Sequence, residues 1–105
     1  METKFNFKSQ ICTSIVQSRR LLELGLKKET ADMYWTKPFG DWIAIVGEGN
    51  IDENNIPAWS LHRLIEMAPE TWFEYMLFLP DVYDEVIAEI EHSISNGWFN
   101  KEYLV

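Results

Sequence analysis

Cys12 and two histidines are the residues of this sequence best suited to nucleophilic catalysis. Cys12 stands just before a predicted helix start, a position that can lower a thiol pKa, and His62 and His92 follow downstream. Neither histidine has the sequence context of a known cysteine nucleophile family, and Cys12 beside Ile11 also fits a buried thiol. We therefore predict that the protein is not an enzyme, and we keep a cysteine-dependent hydrolase or transferase as an alternative.

Metal-ligand spacing occurs on the last predicted helix. Glu89-Ile-Glu-His92 matches the Glu-x-x-His unit of di-iron bundles, and Glu85 lies one turn earlier. Such a bundle needs a second copy of that unit, whereas His62 has Trp59 three residues before it. The single cysteine excludes a four-cysteine zinc site and an intramolecular disulfide, and the five scattered glycines form no phosphate-binding loop. The sequence therefore predicts no metal and no cofactor.

Tryptophan is the residue type whose abundance points to a partner. Five tryptophans in 105 residues exceed what a core of this size needs, and exposed tryptophan is typical of binding patches on small domains. Trp98 and Phe99 follow the expected helix end at Gly97 and are best placed to meet a partner or a second copy. The predicted partner-binding set is Trp98, Phe99, Trp59 and Trp72.

The charge of the chain is divided unevenly. The formal net charge is -8, but residues 1–28 hold six basic and two acidic side chains, a net +4, and residues 29–105 hold three basic and fifteen acidic ones, a net -12. A surplus of carboxylates argues against general nucleic-acid binding and against docking on an anionic membrane. It leaves one alternative function, an acidic decoy that imitates DNA phosphates. We expect the basic first helix to lie beside the protein's own acidic elements.

The first half of the chain predicts a helix followed by a hairpin. Ser14 and Gln17 form a capping box for a helix over 13–24, with a stripe of Ile15, Ser18, Leu22 and Leu26, and Gly25 suits its C-terminal end. Two strand-like runs, 30–36 and 42–46, are separated by a Pro/Gly turn. The second run is almost continuously apolar, which predicts a central strand with both faces covered.

The second half predicts two helices separated by a strand. Ser60 is the natural N-cap of a short amphipathic helix that ends before Pro69. Asp81 is the natural N-cap of a longer helix that reaches Asn96. The aromatic run 71–79 favours a strand. The order predicts an α+β fold, in which about three helices pack on a small antiparallel sheet made of the hairpin and one further strand.

The length predicts a single domain over residues 1–105. No window reaches the ~18 apolar residues that a membrane helix needs, and the start of the chain lacks the apolar region of a secretory signal. Together with the lone cysteine, these features predict a cytoplasmic protein.

Four blocks of the sequence resemble one group of proteins when they are taken together. They are Cys12-Thr13 leading to Gln17-Ser18, Leu22 and Leu24-Gly25, the run 30–35 (Thr-Ala-Asp-Met-Tyr-Trp), the run 56–61 (Ile-Pro-Ala-Trp-Ser-Leu) with Leu64, and Tyr83, Glu89 and Ser95-Asn-Gly97. The chain thereby resembles small uncharacterised proteins of Bacteroidetes-type gut bacteria and their prophages or mobile elements. The resemblance implies an α+β domain and no catalytic residues. We predict a non-enzymatic interaction or regulatory protein that acts through an unidentified protein partner or self-association.

Overall fold

The described part of the protein contains a three-stranded antiparallel sheet. The structure is a computed structural model that describes residues 10–47, 54–68 and 81–105. Strand β1 is Met33–Thr36, β2 is Ile43–Val46 and β3 is Ile56–Ala58, in the spatial order β2-β1-β3. Three α-helices accompany the sheet in these residues, namely α1 (Ile15–Glu23), α2 (Leu61–Met67) and α3 (Val82–Ser95). The predicted α+β class is therefore confirmed.

Helix α1 begins at the predicted capping box. The Ser14 hydroxyl accepts a hydrogen bond from the Gln17 amide at 3.1 Å, and the Gln17 side chain accepts one from the Ser14 amide at 3.0 Å. Gly25 follows the helix with φ of 103°, the left-handed conformation expected of it. The predicted apolar stripe was less accurate, because the helix turns Leu21 fully into the core and leaves Leu22 only partly buried.

Helices α2 and α3 begin and end close to the predicted residues. The Ser60 hydroxyl caps α2 by accepting from the Arg63 amide at 3.1 Å. Helix α3 begins after Asp81, although the Asp81 side chain makes no capping hydrogen bond. The apolar face expected of α3 is confirmed, since it turns the following residues inward: Tyr83, Val86, Ile87 and Ile90, with Val82 and Ile94 partly buried.

The core has two unequal parts. The larger one joins the helices and includes the completely buried Leu21, Trp59, Leu64, Val86 and Ile90. The smaller one lies against the sheet, where Cys12, Met33 and Ala58 are buried together and Trp35 and Ala44 pack against them. No helix within the described ranges is long and apolar enough to cross a membrane.

Strand order corrects the sequence prediction in two ways. The hairpin forms as expected, with Met33 paired to Val46 and Thr36 to Ile43, but β1 rather than β2 is the central strand. Burial of a strand on both faces produces an apolar run, yet an exposed apolar edge has the same pattern, and sequence does not separate the two.

The third strand also differs in position. It is β3 at Ile56–Ala58 and pairs with β1. The sequence did not predict it, because three residues with a proline at the centre are too few to show the alternation of a strand. The strand expected at 71–79 lies outside the described residues.

Candidate functional site

Cys12 is buried and protonated at neutral pH. Its exposed fraction is 1%, and burial, helped by the negative charge of Asp32, raises its thiol pKa from 9.0 to about 11. The histidines are engaged elsewhere, since His62 pairs with Glu66 at 3.3 Å on the open side of α2 and the His92 ring lies against Trp98. A buried neutral thiol and two exposed imidazoles with other partners do not form a nucleophile and its base.

Metal binding finds no geometric support in the described part of the chain. No group of three histidine, cysteine, aspartate or glutamate side chains there is arranged to hold an ion. His92 lies instead with its ring edge-to-face to Trp98, with ring centroids 5.7 Å apart. The Glu-x-x-His unit is therefore part of the open face of α3, and its histidine contacts an aromatic ring.

The structure separates the four predicted partner-binding side chains. Trp98 is 62% exposed, which agrees with the expectation for that residue. Phe99 is only 3% exposed and lies against Tyr103, with ring centroids 5.8 Å apart. Trp59 has no exposed surface and donates its indole N–H to the Thr30 hydroxyl at 2.9 Å. Trp72 lies outside the described residues.

Two of those side chains therefore cannot contact a partner in this fold. The backbone turns after α3, where the amides of both Trp98 and Phe99 donate to the Ser93 carbonyl, and Phe99 lies inward while Trp98 lies outward. Trp59 follows β3 directly, and both its backbone N–H and its backbone C=O form hydrogen bonds with Thr13. Proximity to a chain terminus or helix end was the sequence signal, and it carries no information on which of two adjacent aromatics turns inward.

The hairpin carries an exposed apolar surface that the sequence analysis missed. Phe39 in its turn is 95% exposed, and Val46 at the end of β2 is 77% exposed. Ile43 and Trp42 are exposed to lesser extents, and the Lys37 ammonium lies 5.3 Å from the centre of the Trp42 ring. Isolated exposed apolar residues are normal, but here they follow one strand at the margin of a sheet.

The far side of the sheet is closed by Thr13. Its amide donates to the Trp59 carbonyl at 2.8 Å, and its hydroxyl accepts from the Trp59 amide at 3.1 Å. Its carbonyl accepts the Trp35 indole N–H at 2.9 Å. Pro57, at the centre of β3, has no N–H to offer. This margin of the sheet therefore presents no free ladder for a further strand.

The margin at β2 has the opposite character. The Gly47 amide donates to the Asp32 carbonyl at 2.9 Å, which makes Asp32 and Gly47 a hydrogen-bonded pair. Because such pairs alternate along an antiparallel ladder, Ile45 and Ile43 also bond to β1. Ala44 and Val46 then direct their N–H and C=O groups away from β1, and no described strand lies beside them. We call this margin, with the side chains of Trp42, Ile43 and Val46, the β2 edge.

Acidic side chains of α3 are partly neutralised within the molecule. Arg20 of α1 forms an ion pair with Glu91, and the side-chain amide (Nε2) of Gln17 donates to Asp84 at 2.6 Å across the same pair of helices. The expected pairing of the basic first helix with an acidic neighbour is thus confirmed. An open groove of about 580 Å³ between α1 and α3 is lined by both partners of this ion pair, so these side chains fasten the two helices.

The chain matches no protein-family model, and no curated protein or solved structure matches it either. The resemblance to proteins of gut bacteria and their mobile elements therefore stays a prediction. The geometry of the described residues is what remains to support a function.

Proposed function

We propose that this chain is a small non-enzymatic interaction protein that binds a protein partner, or a second copy, by adding a strand to the β2 edge. The observation that carries the proposal is an apolar strand margin with outward-directed backbone groups and a Val46 that is 77% exposed. In strand addition, main-chain hydrogen bonds supply affinity and alternate side chains supply specificity. The β2 edge offers both.

Protective devices usually blunt strand margins that bind nothing. Natural proteins place lysine, proline or a bulge there, or cover the margin with other parts of the chain. Residues 42–46 hold neither charge nor proline, whereas the margin at β3 holds Pro57 and is closed by Thr13. The contrast within one sheet supports a binding role for the β2 edge.

The two alternative functions have weaker support. A Cys12-dependent enzyme would need a thiolate, which a pKa of about 11 removes at neutral pH. An acidic decoy would need carboxylates free to meet a nucleic-acid enzyme, and Glu91, Glu66 and Asp32 instead pair with Arg20, Arg63 and Ser60. Our proposal places the protein in the cytosol, where a lone thiol stays reduced, and keeps the mobile-element context that the resemblance implies.

A matched pair of variants tests the proposal. Val46 and Val16 are almost equally exposed, at 77% and 76%, but Val16 lies on α1 and lines the groove between α1 and α3. Val46→Lys adds a charge to the β2 edge, and Val16→Lys adds the same charge elsewhere. We expect affinity capture from host lysate, together with self-association, to be lost in V46K and kept in V16K. A monomeric protein that captures nothing, or equal behaviour of the two variants, would overturn the proposal.

A further inference from the structure

We infer that the occupant of the β2 edge is a second copy of this chain, with the two β2 strands antiparallel about a two-fold axis at Ala44. The inference rests on the proposed function and names its partner. Pairing of this kind would join the two three-stranded sheets into one continuous six-stranded sheet, with Thr13 and β3 closing both outer margins. Such a contact is closed, because each copy uses its single open margin within the described residues.

The sequence of the strand is close to a palindrome. Residues 42–46 read Trp-Ile-Ala-Ile-Val, with the smallest side chain at the centre. A two-fold axis at Ala44 places Ile43 opposite Ile45 of the second copy and Trp42 opposite Val46. Aromatic to β-branched pairs are among the favourable cross-strand pairs of antiparallel sheets. Only the small alanine has to meet its own copy, so the register buries the exposed side chains without crowding the axis.

The backbone favours the same register. Ala44 and Val46 direct their hydrogen-bonding groups outward, and the alternation extends this to Trp42. With the axis at Ala44, the outward groups of Ala44 face those of its own copy, and the groups of Trp42 face those of Val46. Every outward group of the strand then has a partner. An axis displaced by one residue, at Ile43 or Ile45, would pair the outward groups of only two of these three residues and leave Val46 or Trp42 without a partner from the strand.

Charge is the reason to expect a second copy to be tolerated. The chain carries a net charge of -8, so two copies repel each other over most of their surfaces. Residues 36–47 carry only Lys37 and Asp41, whose charges cancel. The β2 edge is thus a neutral stretch of an acidic protein, and two such edges add no charge repulsion of their own.

The contact is small for a stable interface. Trp42, Ile43 and Val46 expose on the order of 300 Å² per copy, and with the backbone a symmetric contact covers on the order of 800 Å² in total. Stable interfaces bury about 1,200–2,000 Å². We therefore expect a weak, reversible dimer that forms at protein concentrations on the order of 10–100 μM and is strengthened by salt, which screens the net repulsion.

Sedimentation velocity over a concentration series tests the partner. We expect the wild type and V16K to convert from monomer to dimer with rising concentration and V46K to shift the dissociation constant upward by about tenfold or more, because the symmetric contact contains the substitution twice. A wild type that stays monomeric at several hundred micromolar, or a V16K variant impaired as much as V46K, would overturn the inference.

Cysteine cross-linking tests the register independently. Cys12 is 1% exposed and Ala44 packs against its cluster, so each cysteine variant is made in a Cys12→Ala background, where the introduced cysteine is the single thiol of the chain. Ala44→Cys places two thiols on the axis, about 5.5 Å apart between Cα atoms and within disulfide range. Val46→Cys separates them by four strand positions along each chain, on the order of 13 Å. We expect mild oxidation to link A44C and not V46C. Equal linking of both variants, or linking of V46C alone, would refute this register.

The outcomes separate the inference from the proposal beneath it. A monomeric protein whose β2 edge still captures a lysate protein in a manner sensitive to V46K would refute the second copy and leave strand addition standing. A dimer that V46K and V16K affect equally would refute both. Loss of dimerisation in V46K with preserved circular dichroism excludes unfolding as the cause, and linking of A44C supports the register even if V46K fails to fold.

Discussion

Thr13→Val offers the most direct test of how the closed margin of the sheet is held. The side chain is completely buried, and valine reproduces its shape without its hydroxyl. That hydroxyl accepts from the Trp59 amide at 3.1 Å and shares a 2.7 Å hydrogen bond with the Ser18 hydroxyl. The substitution therefore leaves two buried polar groups without their partner, while the backbone bond from Thr13 to the Trp59 carbonyl remains.

The expected cost follows from the unpaired groups. A buried donor left without an acceptor costs about 1–3 kcal/mol, and no methyl group is lost to offset or add to this. For a chain of this size, 1 kcal/mol shifts the melting temperature by about 4–8 °C. We expect urea unfolding monitored by tryptophan fluorescence to show a fall of about 1–3 kcal/mol in the free energy of unfolding, at an unchanged denaturant slope.

Thr13→Ser is the matched control. It keeps the hydroxyl and removes one buried methyl, which costs about 1 kcal/mol. If T13V is more stable than T13S, the Thr13 hydroxyl is not what holds Trp59 in place. A double-mutant cycle with Ser18→Ala apportions the loss, since removal of the Ser18 hydroxyl relieves one of the two unpaired groups and should make the double variant cheaper than the sum of the singles.

Three further predictions concern single residues. Gly25→Ala should lower the free energy of unfolding by about 1–2 kcal/mol in urea titration, because alanine is strained at a φ of 103°. Steric overlap adds nothing, since the nearest atom to the added carbon, in Leu104, is 3.9 Å away. A cost near zero would contradict this prediction. The raised pKa of Cys12 makes the free energy of unfolding depend on pH: it is unaffected below the unfolded pKa of 9.0 and falls by about 2 kcal/mol as the pH rises toward 11. In Cys12→Ala, the free energy of unfolding should fall less over the same pH range. Arg20→Ala breaks an exposed ion pair with Glu91 and should cost less than about 1 kcal/mol, and the difference should shrink in high salt. A larger loss that persists in salt would show that packing in the groove dominates.

The helix caps and helix ends were predictable because they depend on residues that are close together in the chain. The Ser14–Gln17 capping box, the Ser60 cap and the positive φ of Gly25 all depend on contacts within a few residues. The apolar face of α3 was predictable for the same reason, since a 14-residue helix shows its period four times over. These local features are sufficient to predict the α+β class.

Strand order and side-chain orientation needed the tertiary structure. Which strand lies in the middle depends on β3 returning to pair with β1, a contact between Trp35 and Ile56 that has no local signal. The same holds for the buried Trp59 and Phe99, which were predicted to bind a partner from the abundance of tryptophan and from a position near the C-terminus, respectively. A pattern of apolar residues indicates that a surface is buried, but it does not indicate which element of the fold covers it.

The sequence by itself determined a foldable acidic α+β chain, the positions of the three described helices and an uneven charge that predicted pairing of the basic first helix with an acidic neighbour. Only the tertiary structure decided that Thr13 closes one margin of the sheet and that the apolar run 42–46 lies open at the other. The physical reason is that hydrogen bonding and helical periodicity act over a few residues, whereas the accessibility of a strand depends on every element packed around it.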